Sequence, residues 1–519
     1  MEKIKGLLLA ATVMLIAGNL KAQSYSELGL TFGRTRPGGS ARILGMGGAQ
    51  ISLGGDWSSA ASNPAGLGMY NRSEFSITPG YMSLENNGSY MAGNSTLSGN
   101  NSQTKTTLSI PGLGLVFSKP QDGEAGFIHG TFAVTMTKVN DFNSNYTYRG
   151  TNPSTSLIDY FIYQANGTTP DNYVEDQNGN IGAYYNTVTG LAYRNYLIGE
   201  ASILDPNNPN DQYFTDFDPN VNPNALQRES VQTKGGQNQW NLSYGANFND
   251  KLFLGAGLGI VALNFQSHKV FDEDFTDQPL VGYTLTEDLT VRGTGINLTV
   301  GGIYRPVDGF QVGAAIATPT RYSITDTYSA SMNSTWNNWD YYEDGSVILG
   351  NESAQTDVVV SNYNITTPWK FSAGASYIFG KSGLISVDIE HMNYGGTKYD
   401  SKTNDLDFSF DNKEIKSTYA SVTNIRAGGE YRLKSFRLRG GFGYMPDPYK
   451  TVQNGVSNAR MSASGGVGFR ASKWYIDLAY INSWSKNIYR PYTLPVAESP
   501  LLNYKQSVTN VVMTVGFTF

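Results

Sequence analysis

The 519-residue sequence contains no cysteine and few charged residues. Asp, Glu, Lys and Arg together make up 15% of the chain, and the formal net charge is -6. Without cysteine the fold cannot depend on disulfide bonds, and so small a net charge does not favour a nucleic-acid partner. After residue 20, no apolar run reaches the ~18 residues that a transmembrane helix needs. The longest run, 252–263, is rich in glycine.

Motifs for catalysis, metal binding and cofactor binding are also missing. The three histidines, His129, His268 and His391, fall on different predicted strands. No His-Glu-x-x-His, Gly-x-Ser-x-Gly or phosphate-binding glycine loop occurs. A hydrolase would have to assemble Ser, His and Asp from distant strands. We therefore expect no catalytic residues, no metal and no cofactor, in a protein that is not an enzyme.

The first 22 residues have the composition of an export signal. Lys3 and Lys5 precede the apolar stretch GLLLAATVMLIAG, and Ala22 stands at a plausible cleavage site. The apolar stretch is too short to span a membrane comfortably. We predict that residues 1–22 are a signal peptide and that the mature chain is exported.

Glycine and aromatic residues are abundant in the chain, which has 58 Gly, 34 Tyr and 24 Phe. Many segments alternate apolar and polar residues with a period of two, which is typical of a β-strand with two unlike faces. In WNLSYGANF, the side chains of Trp240, Leu242 and Tyr244 share one face, and polar or small residues share the other. ISVDIEHM and the C-terminal VTNVVMTVGFTF show the same alternation. The pattern predicts an all-β protein.

Fourteen strands are predicted, and the connections between them alternate strictly between short and long. Short turns are expected at 119–125, 249–251, 305–309, 380–382, 434–435 and 471–472. Long connections are expected at 82–108, 141–237, 268–290, 330–360, 394–420, 445–457 and 483–505. Outer-membrane barrels have an even strand count, tight periplasmic turns and long outer loops, whereas a soluble sandwich has no reason to place every long loop at one end. We therefore predict a transmembrane antiparallel β-barrel of about 14 strands over residues 73–519, in the outer membrane of a Gram-negative bacterium.

If the apolar face of each strand contacts lipid, the charged residues late in the chain face the lumen. We single out Asp388, Glu430, Arg437, Arg439 and Asp477. Two interpretations of these charges stay open. They form an ion-pair ladder that holds a polar interior together, or the arginines bind a ligand carboxylate or the N-terminal segment, since a guanidinium group pairs with a carboxylate through two hydrogen bonds.

Residues 23–72 precede the first predicted strand and contain few large apolar side chains, with eleven glycines between positions 29 and 68. Ordering a glycine backbone is entropically costly, so this segment cannot fold on apolar burial alone. It can be held inside a polar cavity that already exists. We predict that it is an N-terminal hatch, or plug, inside the lumen. Its motif contains an Asn that can cap a turn and a Pro that fixes φ, and consists of Asp56, Asn63, Pro64, Ala65, Gly66 and Leu67.

The connection 141–237 is predicted to be an extracellular loop with short helices. Asn152 as N-cap, Pro153 at the first helical position and Gly167 as a stop delimit one helix, and a second is expected from 191 to 204. The candidate residues for ligand capture are Leu157, Ile158, Phe161, Ile162 and Leu191. Either the helices pack on each other over the barrel mouth, or their apolar faces receive a hydrophobic ligand, each buried methylene contributing ~0.8 kcal/mol.

Five segments of the sequence carry a resemblance to a known protein family. They are ARILGMGGAQISLGGDWSSAASNPAGL, GIYRPVDGFQVGAAIATPTRY, TTPWKFSAGASYIFGKSGLISVDIEHMNYG, IRAGGEYRLKSFRLRGGFGYMPDP and the terminal VGFTF. In these segments the chain resembles the FadL/TodX-type outer-membrane transporters of long-chain fatty acids and other hydrophobic compounds. The resemblance implies a fourteen-stranded barrel with a hatch. It does not extend to the loop 141–237.

The resemblance also implies a function. A hydrophobic molecule such as a long-chain fatty acid is captured by the outer loops, enters an apolar pocket, and leaves sideways through a gap in the wall after the hatch rearranges, without an energy source. We expect a monomer whose partners are the lipid bilayer and the hydrophobic ligand. The alternative is the same fold acting as a secretion or surface-attachment scaffold without transport. A simple diffusion porin is disfavoured because a hatch would occlude the lumen.

Overall fold

The computed structural model describes residues 24–92, 95–118, 126–200, 213–215, 225–276, 278–401, 406–495 and 497–519. The predicted signal peptide lies outside these residues. Nineteen strands of the described chain join in one antiparallel sheet. In chain order they are β1 Glu74–Ala92, β2 Ser95–Ser118, β3 Phe127–Asp141, β4 Ser144–Asn152, β5 Ala225–Phe248, β6 Leu252–Asp274, β7 Leu280–Val307, β8 Phe310–Ala317, β9 Arg321–Asp340, β10 Ile348–Gln355, β11 Val359–Thr366, β12 Lys370–Phe379, β13 Gly383–Asn393, β14 Lys398–Ser401, β15 Ser421–Leu433, β16 Phe436–Met445, β17 Arg460–Arg470, β18 Trp474–Tyr489 and β19 Leu501–Thr518.

The sheet closes into a barrel because β1 pairs with β19 as well as with β2. Several short strands continue one another along the wall: β3 with β4, β8 with β9, β10 with β11 and β12, and β13 with β14. The nineteen strands therefore make fourteen barrel strands. This confirms the predicted closed barrel of about 14 antiparallel strands.

The two faces of the wall differ as the alternation predicts. On β5 the side chains of Trp240, Leu242 and Tyr244 are 47%, 42% and 47% exposed, whereas the intervening Asn241 and Ser243 are buried. Strands β13, β18 and β19 repeat this arrangement. An exterior of large apolar side chains around a polar interior is the distribution that a lipid environment requires of a barrel.

The strands extend farther toward the loop end than predicted. Most of the expected connection 82–108 is paired strand instead, because β1 and β2 pair from Met82 and Thr107 to Ala92 and Ser95. The expected loop 141–237 shrinks to 153–224 because β4 pairs with β5 as far as Asn152 and Ala225. Stretches such as ENNGSY are polar on both faces. These paired strands therefore lack the alternation of apolar and polar residues from which the other strands are predicted.

The helices are short. They are α1 Tyr25–Gly33, α2 Ala41–Leu44, α3 Ser59–Ser62, α4 Leu157–Ala165, α5 Val188–Arg194 and α6 Ser409–Thr418, with 3-10 turns at Pro64–Met69, Pro170–Asn172 and Tyr394–Gly396. Within the described ranges, no helix has the length and apolar character to cross a membrane.

Both loop helices differ from their predicted bounds. Asn152 does not cap α4, because it still belongs to β4 and its side-chain oxygen accepts hydrogen bonds from the backbone N–H groups of Ser154 and Thr155. The N-cap is Ser156, which forms a reciprocal capping box with Asp159. The second helix, expected over 191–204, starts at Val188 and ends at Arg194. Residues 201–204 of that prediction lie outside the described part of the chain.

The segment 24–72 contacts wall strands all around the barrel. The backbone N–H of Ala41 donates to Thr514 Oγ1 of β19 at 2.7 Å, and that of Gly47 donates to Ser464 Oγ of β17 at 3.0 Å. Asn63 Nδ2 donates to the carbonyl oxygen of β7 residue Gly302 at 3.3 Å. Because these strands lie on different sides of the barrel, the segment lies across its interior.

Candidate functional site

A buried ion network connects the N-terminal segment to the wall. Glu430 on β15 stands directly opposite Arg439 on β16, and its Oε2 lies 2.9 Å from Arg439 Nε. The same oxygen lies 3.4 Å from Arg42 Nε of the segment. Arg439 Nη1 lies 2.7 Å from Asp477 Oδ1. Burial alone would lower the pKa of Arg42, but Glu430 and Asp56 outweigh that effect and raise it, so this guanidinium group stays charged.

The structure thus brings together three of the five charged residues singled out from the sequence, Glu430, Arg439 and Asp477. Asp388 binds the segment separately: its Oδ2 accepts hydrogen bonds from the backbone N–H groups of Gln50 and Ile51, the latter at 2.8 Å. Arg437 lies near the ion network but forms no hydrogen bond or ion pair with its described residues. Its Nη1 donates to the carbonyl oxygens of Lys434 and Phe436, in and beside the turn 434–435.

The motif residues predicted for the hatch are buried. Asp56 Oδ2 accepts a hydrogen bond from Ser40 Oγ at 2.7 Å and lies 3.9 Å from Arg42 Nη1. Asn63 Oδ1 accepts from the backbone N–H of Ala65 at 3.2 Å, while its Nδ2 donates to the Ile51 carbonyl at 2.7 Å. These bonds start the 3-10 turn whose first residues are Pro64, Ala65, Gly66 and Leu67.

Glycines of the wall let the segment approach the strands closely. A Cβ atom added to Gly441 on β16 would lie 2.1 Å from the backbone nitrogen of Gly47. One added to Gly428 on β15 would lie 2.1 Å from the Met46 carbonyl oxygen. A side chain at either position would displace the segment, so its backbone is fitted to this part of the wall.

The candidate capture residues lie in a large apolar cluster at the loop end of the interior. Leu157, Ile158, Phe161 and Leu191 are buried there, and Ile162 packs against the cluster. The cluster also contains side chains of α1, namely Tyr25, Leu28 and Phe32. The loop helices therefore pack on each other and share this cluster with the N-terminal segment, and their apolar faces are turned inward. Their part in ligand capture stays a prediction.

Three cavities form a series from the loop end to the wall. The upper cavity, of about 580 Å³, is lined by residues of the loop helices and by Glu27, Tyr449 and Tyr489. The middle cavity, of about 280 Å³, shares those three residues with it. The wall cavity, of about 150 Å³, shares Arg36 and Arg460 with the middle one. Adjacent cavities share lining side chains, so together they outline a route through the interior.

The wall cavity lies where the backbone ladder of the barrel is interrupted. Pairing between β2 and β3 stops at Gly112 and Thr137, although β2 extends back to residue 95. Next to this point the β1–β2 register shifts between Thr78 and Gly80. Pro79 and Pro111 lie in the shifted stretch and lack the N–H group that a ladder requires. The cavity lining extends to Tyr81, whose side chain is exposed on the outer face.

Sequence reasoning missed two arginines that line the middle cavity, Arg34 and Arg36, which join Arg460 there. The strand alternation does place Arg460 on the lumen-facing register, but does not single it out as a site residue. Burial lowers the pKa of Arg34 and of Arg36, and the neighbouring Arg34 lowers the pKa of Arg36 further. A signal was present in the stretch GRTRPGG, which places two cations in a segment of small residues with no acidic neighbour.

No family model and no curated protein matches this chain, whereas solved structures match it over almost its full length. A FadL homologue from Pseudomonas aeruginosa has 14% sequence identity and a TM-score of 0.55, the match covering 94% of this chain and 99% of that one. The toluene transporter TbuX of Ralstonia pickettii has 16% identity and a TM-score of 0.49, covering 93% and 99%. The toluene transporter TodX of P. putida has 12% identity and a TM-score of 0.48, with the same coverage. The likeness to the first shows that this chain has the fold of a FadL-type barrel, which confirms the resemblance at the level of the fold.

Proposed function

We propose that this protein lies in the outer membrane of a Gram-negative bacterium and takes up hydrophobic molecules passively, long-chain fatty acids among them. The observation that carries the proposal is the series of three cavities, which leads from the loop end to an interruption in the wall ladder. An apolar solute that left sideways would enter the membrane without crossing water. The names of the structural neighbours, a FadL homologue and toluene transporters, agree with such a cargo.

In this proposal the segment 23–72 is the hatch. Around Arg42 and Gly47 the segment is held by charge and by close backbone packing, on Glu430 and on Gly441. Polar contacts of this kind can exchange for water when this part of the segment shifts, whereas Leu28 and Phe32 of α1 are buried in the large apolar cluster and hold the start of the segment more rigidly. Movement of the segment would then join the middle cavity to the wall cavity.

In the same proposal, entry takes place at the loop end. Phe161 and Leu157 of the loop helix α4 line the upper cavity, so a ligand that passes between the loops meets their apolar faces first. Tyr419, Tyr449 and Tyr489 add aromatic surface to the same cavity. A cavity of about 580 Å³ lies in the range of small-molecule binding sites.

Native mass spectrometry of the protein extracted in a non-ionic detergent tests the proposal. We expect a retained apolar or amphipathic molecule, because returning a hydrocarbon chain from a preformed cavity to water is unfavourable. Protein that is empty and carries a stoichiometric protein partner would instead support the scaffold alternative. Phe161→Ala, which enlarges the upper cavity, should change the retained molecule or its occupancy, whereas Phe410→Ala at the solvent-exposed rim should have a smaller effect.

A further inference from the structure

Three guanidinium groups converge on the middle cavity, and none of them has a carboxylate of the described residues within ion-pair distance. Arg34 and Arg36 belong to the N-terminal segment and Arg460 begins β17, and all three line this cavity. Among the ion pairs of the described residues, within 4.0 Å, none involves these three arginines. Like charges held together away from bulk water repel one another, so such an arrangement calls for a counter-charge.

The arginines keep unused hydrogen-bond donors. Arg34 Nη2 donates to the carbonyl oxygens of Asn458 at 2.9 Å and Pro446 at 3.3 Å, but its Nε is buried without a partner. Arg36 Nε is also buried without a partner. The backbone holds Arg36 in place, because its N–H donates to the Val139 carbonyl at 2.9 Å. Buried donors that are left unpaired are costly, which indicates that an acceptor completes this site.

The nearby carboxylates are already engaged. Asp141, which lines the same cavity, forms an ion pair with Lys138. Asp447 accepts hydrogen bonds from the backbone N–H groups of Tyr449 at 3.0 Å and Asn458 at 2.9 Å. Glu27, also in the lining, has Lys269 and Arg490 as its cationic neighbours, and burial raises its pKa. The hydrogen bonds to Asp447 come from neutral groups and do not cancel its charge, and this carboxylate lies near Arg34. With each arginine charged and Asp447 counted against them, about two positive charges are left uncompensated.

We propose that Arg34, Arg36 and Arg460 form a binding site for the dianionic phosphate headgroup of an amphiphilic ligand. A single carboxylate would leave at least one of these charges unbalanced, whereas a phosphate monoester carries close to two negative charges above its second pKa of about 6. Guanidinium groups bind phosphate oxygens through paired hydrogen bonds. Apolar surface for a hydrocarbon chain adjoins the site, in the side chains of Phe142, Tyr146, Phe265 and Tyr504.

This inference rests on the proposed uptake function and narrows its substrate class from hydrophobic molecules in general to those with a phosphate group. Three probes with the same twelve-carbon chain distinguish binding at a phosphate site from binding of hydrophobic molecules in general. They are dodecyl phosphate, dodecanoate and dodecanol. Their binding to the full-length mature protein in a non-ionic detergent can be measured by calorimetry at pH 8, where dodecyl phosphate is mostly dianionic. Inorganic phosphate serves as a fourth probe, without a chain.

We expect dodecyl phosphate to bind at least tenfold more tightly than dodecanoate. Arg36→Gln and Arg460→Gln should each remove most of that difference and leave dodecanol binding unchanged. Arg460 belongs to the wall, so its variant keeps the result independent of any shift of the N-terminal segment. Arg437→Gln, an arginine outside the cluster, is the matched control and should behave as the unmodified protein does.

Equal affinity for dodecyl phosphate and dodecanoate, or full retention of the difference in both variants, would overturn the site. So would an unmodified protein that binds neither dodecyl phosphate nor inorganic phosphate. A different outcome separates the two proposals. If inorganic phosphate binds to the unmodified protein but dodecanol and dodecanoate do not, the anion site is supported and the proposed uptake function is overturned. Far-ultraviolet circular dichroism checks that each variant is folded.

Discussion

Replacement of Glu430 by Gln is the most informative single change, because it removes one charge and almost no volume. The Glu430 carboxylate accepts from Arg439 Nε at 2.9 Å, from Arg432 Nε at 2.9 Å and from Arg42 Nε at 3.4 Å. The Arg439 side chain is fully buried. Removing one partner of a buried ion pair costs about 3–5 kcal/mol where the other charge is left uncompensated. Asp477 still pairs with Arg439 and Asp56 still faces Arg42, so the cost here lies at the lower end of that range. We expect Glu430→Gln to lower the free energy of unfolding by that amount. Part of the loss falls on the barrel wall, and part on the binding of the N-terminal segment to the wall.

Limited trypsin digestion separates the two contributions. Cleavage after Arg34 or Arg42 requires the segment to leave the wall, so its rate reports the population of the open form. If half of the lost free energy falls on the binding of the segment, the population of the open form rises about tenfold or more, and cleavage should accelerate by the same factor. Glu390→Gln is the control, because Glu390 forms its 2.7 Å ion pair with Arg426 inside the wall. Equal cleavage rates in Glu430→Gln and the unmodified protein would refute the idea that this carboxylate holds the segment.

Three further changes test the seating of the segment, the outer face and the loop helix. Gly441→Ala should lower the free energy of unfolding by about 1–3 kcal/mol through overpacking, and should raise the conductance in planar bilayers because the segment is displaced. The neighbouring Gly440 has open space for a Cβ atom, so Gly440→Ala is the control and should conduct as the unmodified protein does. Val387 is exposed in the middle of β13, and Val387→Arg should lower the free energy of unfolding by ~2–4 kcal/mol, measured by urea unfolding from bilayers. Val307→Arg, beside the turn 308–309, should lower it by only ~0–1 kcal/mol. Equal losses in the two variants would contradict the lipid-facing assignment. Ser156→Ala removes the capping box of α4 and should lower its local stability by ~0.5–2 kcal/mol, which hydrogen exchange measures; unchanged protection there would show that tertiary packing alone holds the helix.

The sequence was sufficient to predict the barrel because a lipid-facing strand follows a simple rule. Each membrane-spanning segment needs an apolar residue at every second position, and WNLSYGANF and ISVDIEHM satisfy it. Outside the membrane this constraint is relaxed. The hairpin extension around residues 85–105 is polar on both faces. The sequence therefore predicts a loop where the backbones of β1 and β2 in fact pair up to Ala92 and Ser95, with one register shift between Gly88 and Tyr90.

The interior was predictable only in part. Glu430 and Arg439 stand opposite each other across adjacent strands, so strand register alone brings them together. Their connection to Arg42 depends on how a glycine-rich segment lies inside the barrel, and no local pattern encodes that position. The same applies to the convergence of Arg34 and Arg36 with Arg460, more than 400 positions away in the chain.

The proposed route is tested most directly at the wall cavity. Ser109 lines that cavity, whereas the next residue back, Leu108, points outward and is exposed. The measurement is uptake of radiolabelled oleate by Gram-negative cells that lack their own fatty-acid barrel and express each variant at equal surface levels. The sideways route predicts that Ser109→Trp reduces uptake at least tenfold and that Leu108→Trp leaves it unchanged. Undiminished uptake by Ser109→Trp would contradict it.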